Sequence, residues 1–245
     1  MTTAATPALV VLCDWRRVGA PERLLGPHER KCAAELTGAR RREWVRTRLT
    51  AKAAIGWFTG RDEHPADVQI LPAPDGAPEA IVRSGSVAVS VSLAHTGDVS
   101  ICAVSRGGTT LGVDGETIDP RNDVVRLKVA GPDDVVPIRS ARPGAEATLL
   151  FACKEAAFKA HRGATPVLRD YRVRISTSGR RGFGVRLDRP GGRELALWPS
   201  LTGTLALAFC QDRPEPPRWR WTAPTQVLAA LDVKTGRRDE SECYS

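Results

Sequence analysis

Apolar positions along the chain change period several times, and each change marks a switch between strand and helix. Residues 8–15 form a short apolar run that reads as a strand, after a small polar start over residues 1–7. From 21 to about 60 the character is helical, punctuated by Pro27 and Gly38. Within it, Trp44, Val45, Leu49, Ala53 and Ile55 stand among many arginines over 40–58, an amphipathic pattern. Residues 60–78 read as loop, with Pro74-Asp75-Gly76 as a turn. Val87, Val89, Val91 and Leu93 then alternate with polar or small residues, predicting a half-buried strand over 86–93.

Further strands are expected over 99–104, after the Thr96-Gly97 break, and over 110–116, after Gly107-Gly108. Residues 122–136 read as helix interrupted at Gly131-Pro132. The span 145–161, rich in Ala, Leu, Glu and Lys and followed by Gly163, is the strongest helix of the chain. Strands return over 171–176, 184–187, 194–198 and 205–210. A proline-rich connector at 214–217 leads to a last strand, a helical 225–231 and a charged tail expected to be disordered from about 234. Thr96-Gly97 opens the run Val99, Ile101, Ala103, and Thr202-Gly203 opens Leu205, Leu207, Phe209. The echo fits a duplicated α/β unit.

The chain has 245 residues, 42% hydrophobic and 26% charged, enough for one large or two ordinary globular domains. Its formal charge of +8 suits an anionic partner, whether nucleic acid, an anionic cofactor or an acidic protein. No helix-turn-helix, zinc spacing or aromatic RNA motif supports nucleic acid. The six cysteines, Cys13, Cys32, Cys102, Cys153, Cys210 and Cys243, lie far apart without metal-ligand spacing. Most sit in apolar runs, as small buried hydrophobes do. No charged-then-apolar leader and no run long enough to span a bilayer is present, so a reduced, cytoplasmic protein is expected. The six tryptophans read as core or groove residues.

Two acidic clusters carry the chemistry. Asp114 and Glu116 are two apart, so on a strand they leave the same face. Glu155 and Lys159 are four apart, neighbours on one helix surface. Three carboxylates and a lysine suit a hard cation shared with a phosphate, since Mg²⁺ takes carboxylate oxygens and completes its shell with water and substrate phosphates. Taken singly, each cluster also has a plain reading: a charged strand edge, and a helix-surface ion pair worth a few tenths of a kcal/mol.

Four segments together resemble the Sfp-type 4′-phosphopantetheinyl transferases. Gly112-Val113-Asp114-Gly115-Glu116 is similar to the family's first core motif. Phe151, Lys154-Glu155-Ala156 and Lys159 are similar to its second. Upstream, Leu93-Ala94-His95-Thr96-Gly97 resembles the family's Ser-His segment, and His28-Glu29-Arg30-Lys31 with Arg46-Thr47-Arg48 its basic N-terminal stretch. Order and spacing agree over roughly residues 20 to 210.

The resemblance implies an α+β fold, a monomeric pseudo-dimer of two similar α/β subdomains with the active site in the cleft between them. The division falls at 107/108, giving an N-terminal subdomain over 1–107 and a C-terminal one over 108–245. The resemblance also implies Mg²⁺-dependent transfer of the 4′-phosphopantetheine arm of coenzyme A to a serine of an acyl or peptidyl carrier protein, releasing 3′,5′-ADP. Nucleic acid and membrane are not among the partners it implies. Asp114 and Glu116 would be metal ligands, and Glu155 a third ligand, the general base, or both. Lys159 would meet the pyrophosphate and His95 a phosphate of coenzyme A, above all the 3′-phosphate. Thr47, with a cation from Arg30, Lys31 or Arg46, would complete the adenosine-phosphate pocket. The chain departs from the family at Ala77, where a lysine is usual, and at Ala94, where a serine is usual. It departs again at Gly115 and at Phe151, where tryptophan is usual. These departures motivate a second reading, a diverged member that binds carrier domains or serves another biosynthetic step without transfer.

Overall fold

The structure, a computed structural model, describes residues 6–16, 18–61, 63–83, 85, 88–162, 165, 167–176, 182–188 and 192–235. In chain order the main elements begin with β1 (Leu9–Asp14), α1 (Pro27–Ala34), α2 (Gly38–Thr59), β2 (Val68–Pro72), β3 (Pro78–Val82), β4 (Val89–Thr96) and β5 (Val99–Arg106). There follow β6 (Leu111–Thr117), α3 (Asp123–Val129), α4 (Ala145–Ala160), β7 (Tyr171–Ile175), β8 (Phe183–Leu187) and β9 (Glu194–Thr202). The last three are β10 (Leu205–Gln211), β11 (Arg218–Thr222) and α5 (Pro224–Thr235). The fold is mixed α/β. The chain divides into two compact units, one running to Gly108 and resuming at Arg218, the other spanning Thr109–Pro217.

In the first unit the sheet order is β11-β1-β5-β4, with β11 parallel to β1 and the rest antiparallel. Leu9, Val11, Cys102 and Val104 pack under Ala51, Ala54 and Ile55 of α2, and the hairpin β2–β3 closes this core with Val68, Ile70 and Val82. A second cluster joins Trp15, Leu24 and Leu25 to Val45, Leu49, Val227 and Leu231. The expectation that residues 108–245 stay together is corrected by β11, which pairs with β1 and returns the chain's end to the first unit. No local pattern encodes which sheet a strand joins.

The long helical stretch expected from 21 to 60 is two helices. α1 opens on Pro27 at its first turn, where a missing N–H costs nothing, and Glu29 accepts from the Gly26 N–H at 2.8 Å. α2 starts after Thr37 and stops at Gly60, a left-handed cap whose N–H reaches the Gly56 carbonyl. The stretch read as loop over 60–78 contains β2, and the turn at Pro74-Asp75-Gly76 joins it to β3. These strands are short and end on prolines, which weakens their signal. Of the strand expected over 86–93, residues 86 and 87 lie outside the described residues, and β4 runs on to Thr96. The tail beyond 235 and Gly163 also lie outside them.

In the second unit the order is β6-β10-β9-β8-β7, all antiparallel. α4 lies on this sheet, its alanines, Leu149, Leu150 and Cys153 packing with Val173, Val185, Leu195, Ala206, Ala208 and Cys210. α3 ends before Gly131-Pro132, so the helix expected over 122–136 covers only its first half. Both units carry a hairpin closed by the same turn: Thr96 pairs with Val99 and Thr202 with Leu205, with Gly97 (φ 54°) and Gly203 (φ 51°) left-handed between them.

Candidate functional site

The second unit gathers one chemical cluster. Gly112, Asp114 and Glu116 alternate along β6, and Gly112 lies so close under α4 that a methyl group there would sit 1.9 Å from the Ala156 carbonyl oxygen. Asp114 and Glu116 share that face by the strand's period of two. Across the ladder they meet Ala208 and Ala206, which bring neither bulk nor charge. Glu155 and Lys159 flank Ala156 on α4.

Lys159 Nζ donates to Asp114 Oδ1 at 2.7 Å and to the Val113 carbonyl at 3.3 Å. Asp114 is buried, and its Oδ2 has no hydrogen-bond partner among the described residues. Burial, then the Asp114 charge, pushes the Glu116 carboxyl up to about 7, only partly opposed by Lys159. The same two causes raise Glu155. Asp114 thus pairs with Lys159, and the charges of both reach Glu116 and Glu155, an excess of negative charge that a cation of hard-oxygen preference would relieve. Among the described residues no three His, Cys, Asp or Glu side chains converge as a ready cation cage.

The expected residues of the first unit are more scattered in role. His95 ends β4 half exposed, with Nε2 3.3 Å from Glu43. Thr47 is buried in α2, its hydroxyl donating to the Glu43 carbonyl at 2.7 Å and lying 3.4 Å from Ser100 Oγ. Arg46 pairs with Asp98 at 2.5 Å, and Arg30 donates to the Leu25 carbonyl at 2.5 Å. Lys31 is exposed on α1. Ala77 stands in the β2–β3 connection, and Ala94 is buried in β4.

Lys154 of the second motif is fully buried and paired with Asp134 at 2.6 Å. Asp134 also accepts from the N–H groups of Gly131 (2.5 Å) and Val173 (2.9 Å), so this pair clamps the loop after α3 to α4 and β7. Lys52 and Glu29 form the matching buried pair of the first unit at 2.6 Å. An apolar stretch interrupted by charge was the available signal for both lysines. Their partners, 20 and 23 residues upstream, carried none.

A holo-[acyl-carrier-protein] synthase from Geobacillus kaustophilus (strain HTA426) is 32% identical to this chain over 88 residues, 34% of the chain and 68% of that protein. The chain belongs to the holo-[acyl-carrier-protein] synthase family of phosphopantetheinyl transferases. Two solved holo-[acyl-carrier-protein] synthases are similar at 21% identity. That of Bacillus anthracis str. Ames, in complex with CoA (3′,5′-ADP), has a TM-score of 0.37 over 42% of this chain and 98% of its own. That of Thermotoga maritima has a TM-score of 0.34 over 57% and 85%. No family model matches the chain.

Proposed function

We propose that this synthase relative is an Sfp-type enzyme that moves the 4′-phosphopantetheine arm of coenzyme A onto a serine of an acyl or peptidyl carrier protein. The observation that carries the reading is the Asp114–Lys159 pair, with the other Asp114 oxygen buried and unpartnered among the described residues and the Asp114 charge reaching Glu116 and Glu155.

The carboxylate chemistry of Asp114 and Glu116, on one face of β6, suits Mg²⁺, with no ready three-residue cage among the described residues. All its ligands are hard oxygens, and an open set suits an ion that keeps several waters and takes substrate phosphates. Asp114 and Glu116 would hold it, with Glu155 as a third ligand or as the base. Bound there, the ion would screen the pyrophosphate and the charge growing on the leaving oxygen. The chain's own residues supply the rest. Glu155, its proton affinity raised by burial and by Asp114, accepts the proton of the serine hydroxyl. The hydroxyl oxygen bonds to the phosphorus that bears the pantetheine, and the bond from that phosphorus to the bridging oxygen breaks, releasing 3′,5′-ADP. Lys159 lends its charge to that oxygen. In the first unit His95 and a cation among Arg30, Lys31 and Arg46 take the nucleotide phosphates, while Thr47 stays bonded to the Glu43 carbonyl. Lys31 needs to break no existing ion pair among the described residues to do so. The enzyme is read as a cytoplasmic monomer whose net charge suits coenzyme A and acidic carrier domains.

The test is the intact mass of apo carrier proteins incubated with coenzyme A, Mg²⁺ and the enzyme. A gain of one phosphopantetheine arm, abolished by Asp114→Ala and by Glu155→Ala, is expected. A folded protein that modifies none of a panel of fatty-acid, polyketide and peptide carriers refutes the reading. The buried Ala94, standing where the family has a serine, favours the alternative of a carrier-binding relative without transfer. Carrier binding with no mass gain would select it.

A further inference from the structure

The sheet of the first unit ends in a strand with no neighbouring strand on its outer side among the described residues. β11 lies outermost in the order β11-β1-β5-β4, parallel to β1. The Arg218 N–H donates to the Ala8 carbonyl at 2.8 Å, so the backbone groups of Arg218 point inward. By the alternation of a strand, the N–H and C=O groups of Trp219 and Trp221 point outward, and no described strand pairs with them. The side chains alternate as well. Arg218 and Arg220 are exposed on the face that carries α2, where Arg220 stacks 3.7 Å over Trp57. Neither has a carboxylate partner among the described residues. Trp219 and Trp221 stand on the other face, beside Val10 and Leu12 of β1, and Trp221 is 50% exposed. Next to Trp221 a hollow opens at the start of α5, lined by Asp14, Arg16, Thr222, Pro224 and Gln226. Arg16 holds Asp14 there at 2.8 Å, so the hollow adds no net charge.

An open strand edge is a template for one more strand, and charge on it decides which strand is admitted. A second copy of β11, in either direction, would set like charges against Arg218 and Arg220. A negatively charged strand meets attraction at the same two residues, since opposite charges across a ladder stabilise the pair. The tryptophans offer apolar contact to every second residue of such a strand, as in recognition by strand addition. We propose that the outer edge of β11 takes an extended segment of a partner protein in which acidic and apolar side chains alternate. Its acidic residues meet Arg218 and Arg220, its apolar ones meet Trp219 and Trp221, and the hollow beside Trp221 receives the last of these. A nucleic-acid strand would use the arginines and the rings but leave the row of outward backbone groups unpaired. None of these residues belongs to the proposed transferase site, so the docking is independent of that activity.

The probe is a hexapeptide alternating glutamate and valine, blocked at both ends and titrated into the full chain by NMR. Saturable binding with a Kd below about 1 mM is expected. The amides of Trp219 and Trp221 should gain exchange protection, while that of Arg218, already bonded to Ala8, stays as it was. The same peptide N-methylated throughout, and one with lysine in place of glutamate, should each bind about tenfold more weakly or worse. Arg218→Glu combined with Arg220→Glu should reverse the preference between the glutamate and lysine peptides, a result that a misfolded variant cannot give. No binding of the glutamate peptide at about 1 mM overturns the proposal, as does binding that N-methylation leaves unchanged. Tighter binding of an oligothymidylate at β11 assigns the edge to nucleic acid and overturns it. Protection of the Trp219 and Trp221 amides without peptide overturns it too, the edge then belonging to the residues after 235 or, in a concentration-dependent dimer, to a second copy.

Discussion

Replacing Gly112 by alanine tests how the acidic cluster is held. The new methyl group would lie 1.9 Å from the Ala156 carbonyl oxygen and 2.8 Å from the Ala160 nitrogen, about 1.5 Å short of ordinary contact at 3.4 Å. Both obstacles are helix backbone, so no side chain can rotate away, and α4 must lift from β6. Overpacking of this kind costs about 3 kcal/mol. Alanine returns roughly 0.5–1 kcal/mol through the stiffer unfolded chain. The net loss is about 2 kcal/mol, which lowers a urea midpoint by about 1 M at an m-value near 2 kcal/mol/M. The same lift stretches the 2.7 Å Lys159–Asp114 pair beyond 4 Å, so transfer should fall with stability. Urea unfolding, with hydrogen exchange of α4 and β6 read by mass spectrometry, checks both. Gly182→Ala is the control, because no atom lies within 4 Å of a methyl group there. A Gly112→Ala protein within about 0.5 kcal/mol of wild type, with α4 protection unchanged, refutes the reasoning.

Three further outcomes are expected. Glu116 ionises at about 7 when folded against 4.5 ordinarily, so the folded state holds its proton longer and loses stability as pH rises between those values. After screening at this partly exposed group, Glu116→Gln should gain about 1–2 kcal/mol over wild type at pH 8 and nothing at pH 4, measured in Mg²⁺-free urea titrations. Asp134→Ala strands the buried Lys154 charge and two backbone donors, so thermal unfolding should show a loss of about 3–5 kcal/mol, restored in part by adding Lys154→Met. Gly97→Ala and Gly203→Ala force alanine into left-handed turns with open space around them, and each should lose about 1 kcal/mol by chemical denaturation.

The faces of the two acidic clusters were legible because their spacing is local. The two-residue step of Asp114 and Glu116 and the four-residue step of Glu155 and Lys159 each define a face once the element is known. What tertiary contacts decide was not legible. Thr47 looks free to meet a phosphate in the sequence, yet in α2 its hydroxyl turns back to the Glu43 carbonyl. Lys154 stands in the second motif without a visible partner in sequence, yet the loop after α3 brings Asp134 to it. The sheet that β11 joins depends on a partner strand some two hundred residues away.

The two motifs also prove to be one interlocked feature. The glycine of the first and the alanine of the second, Gly112 and Ala156, meet where β6 and α4 leave no room for a methyl group. The aspartate of the first and the final lysine of the second, Asp114 and Lys159, are the ion pair that this closeness permits. Small residues therefore set the distance at which the charged ones act. A larger residue at Gly112 would silence the cluster without touching a single titratable group, and restoring charge elsewhere could not repair it. For the proposed site, packing at two residues without functional atoms would be a condition of any chemistry at the other four.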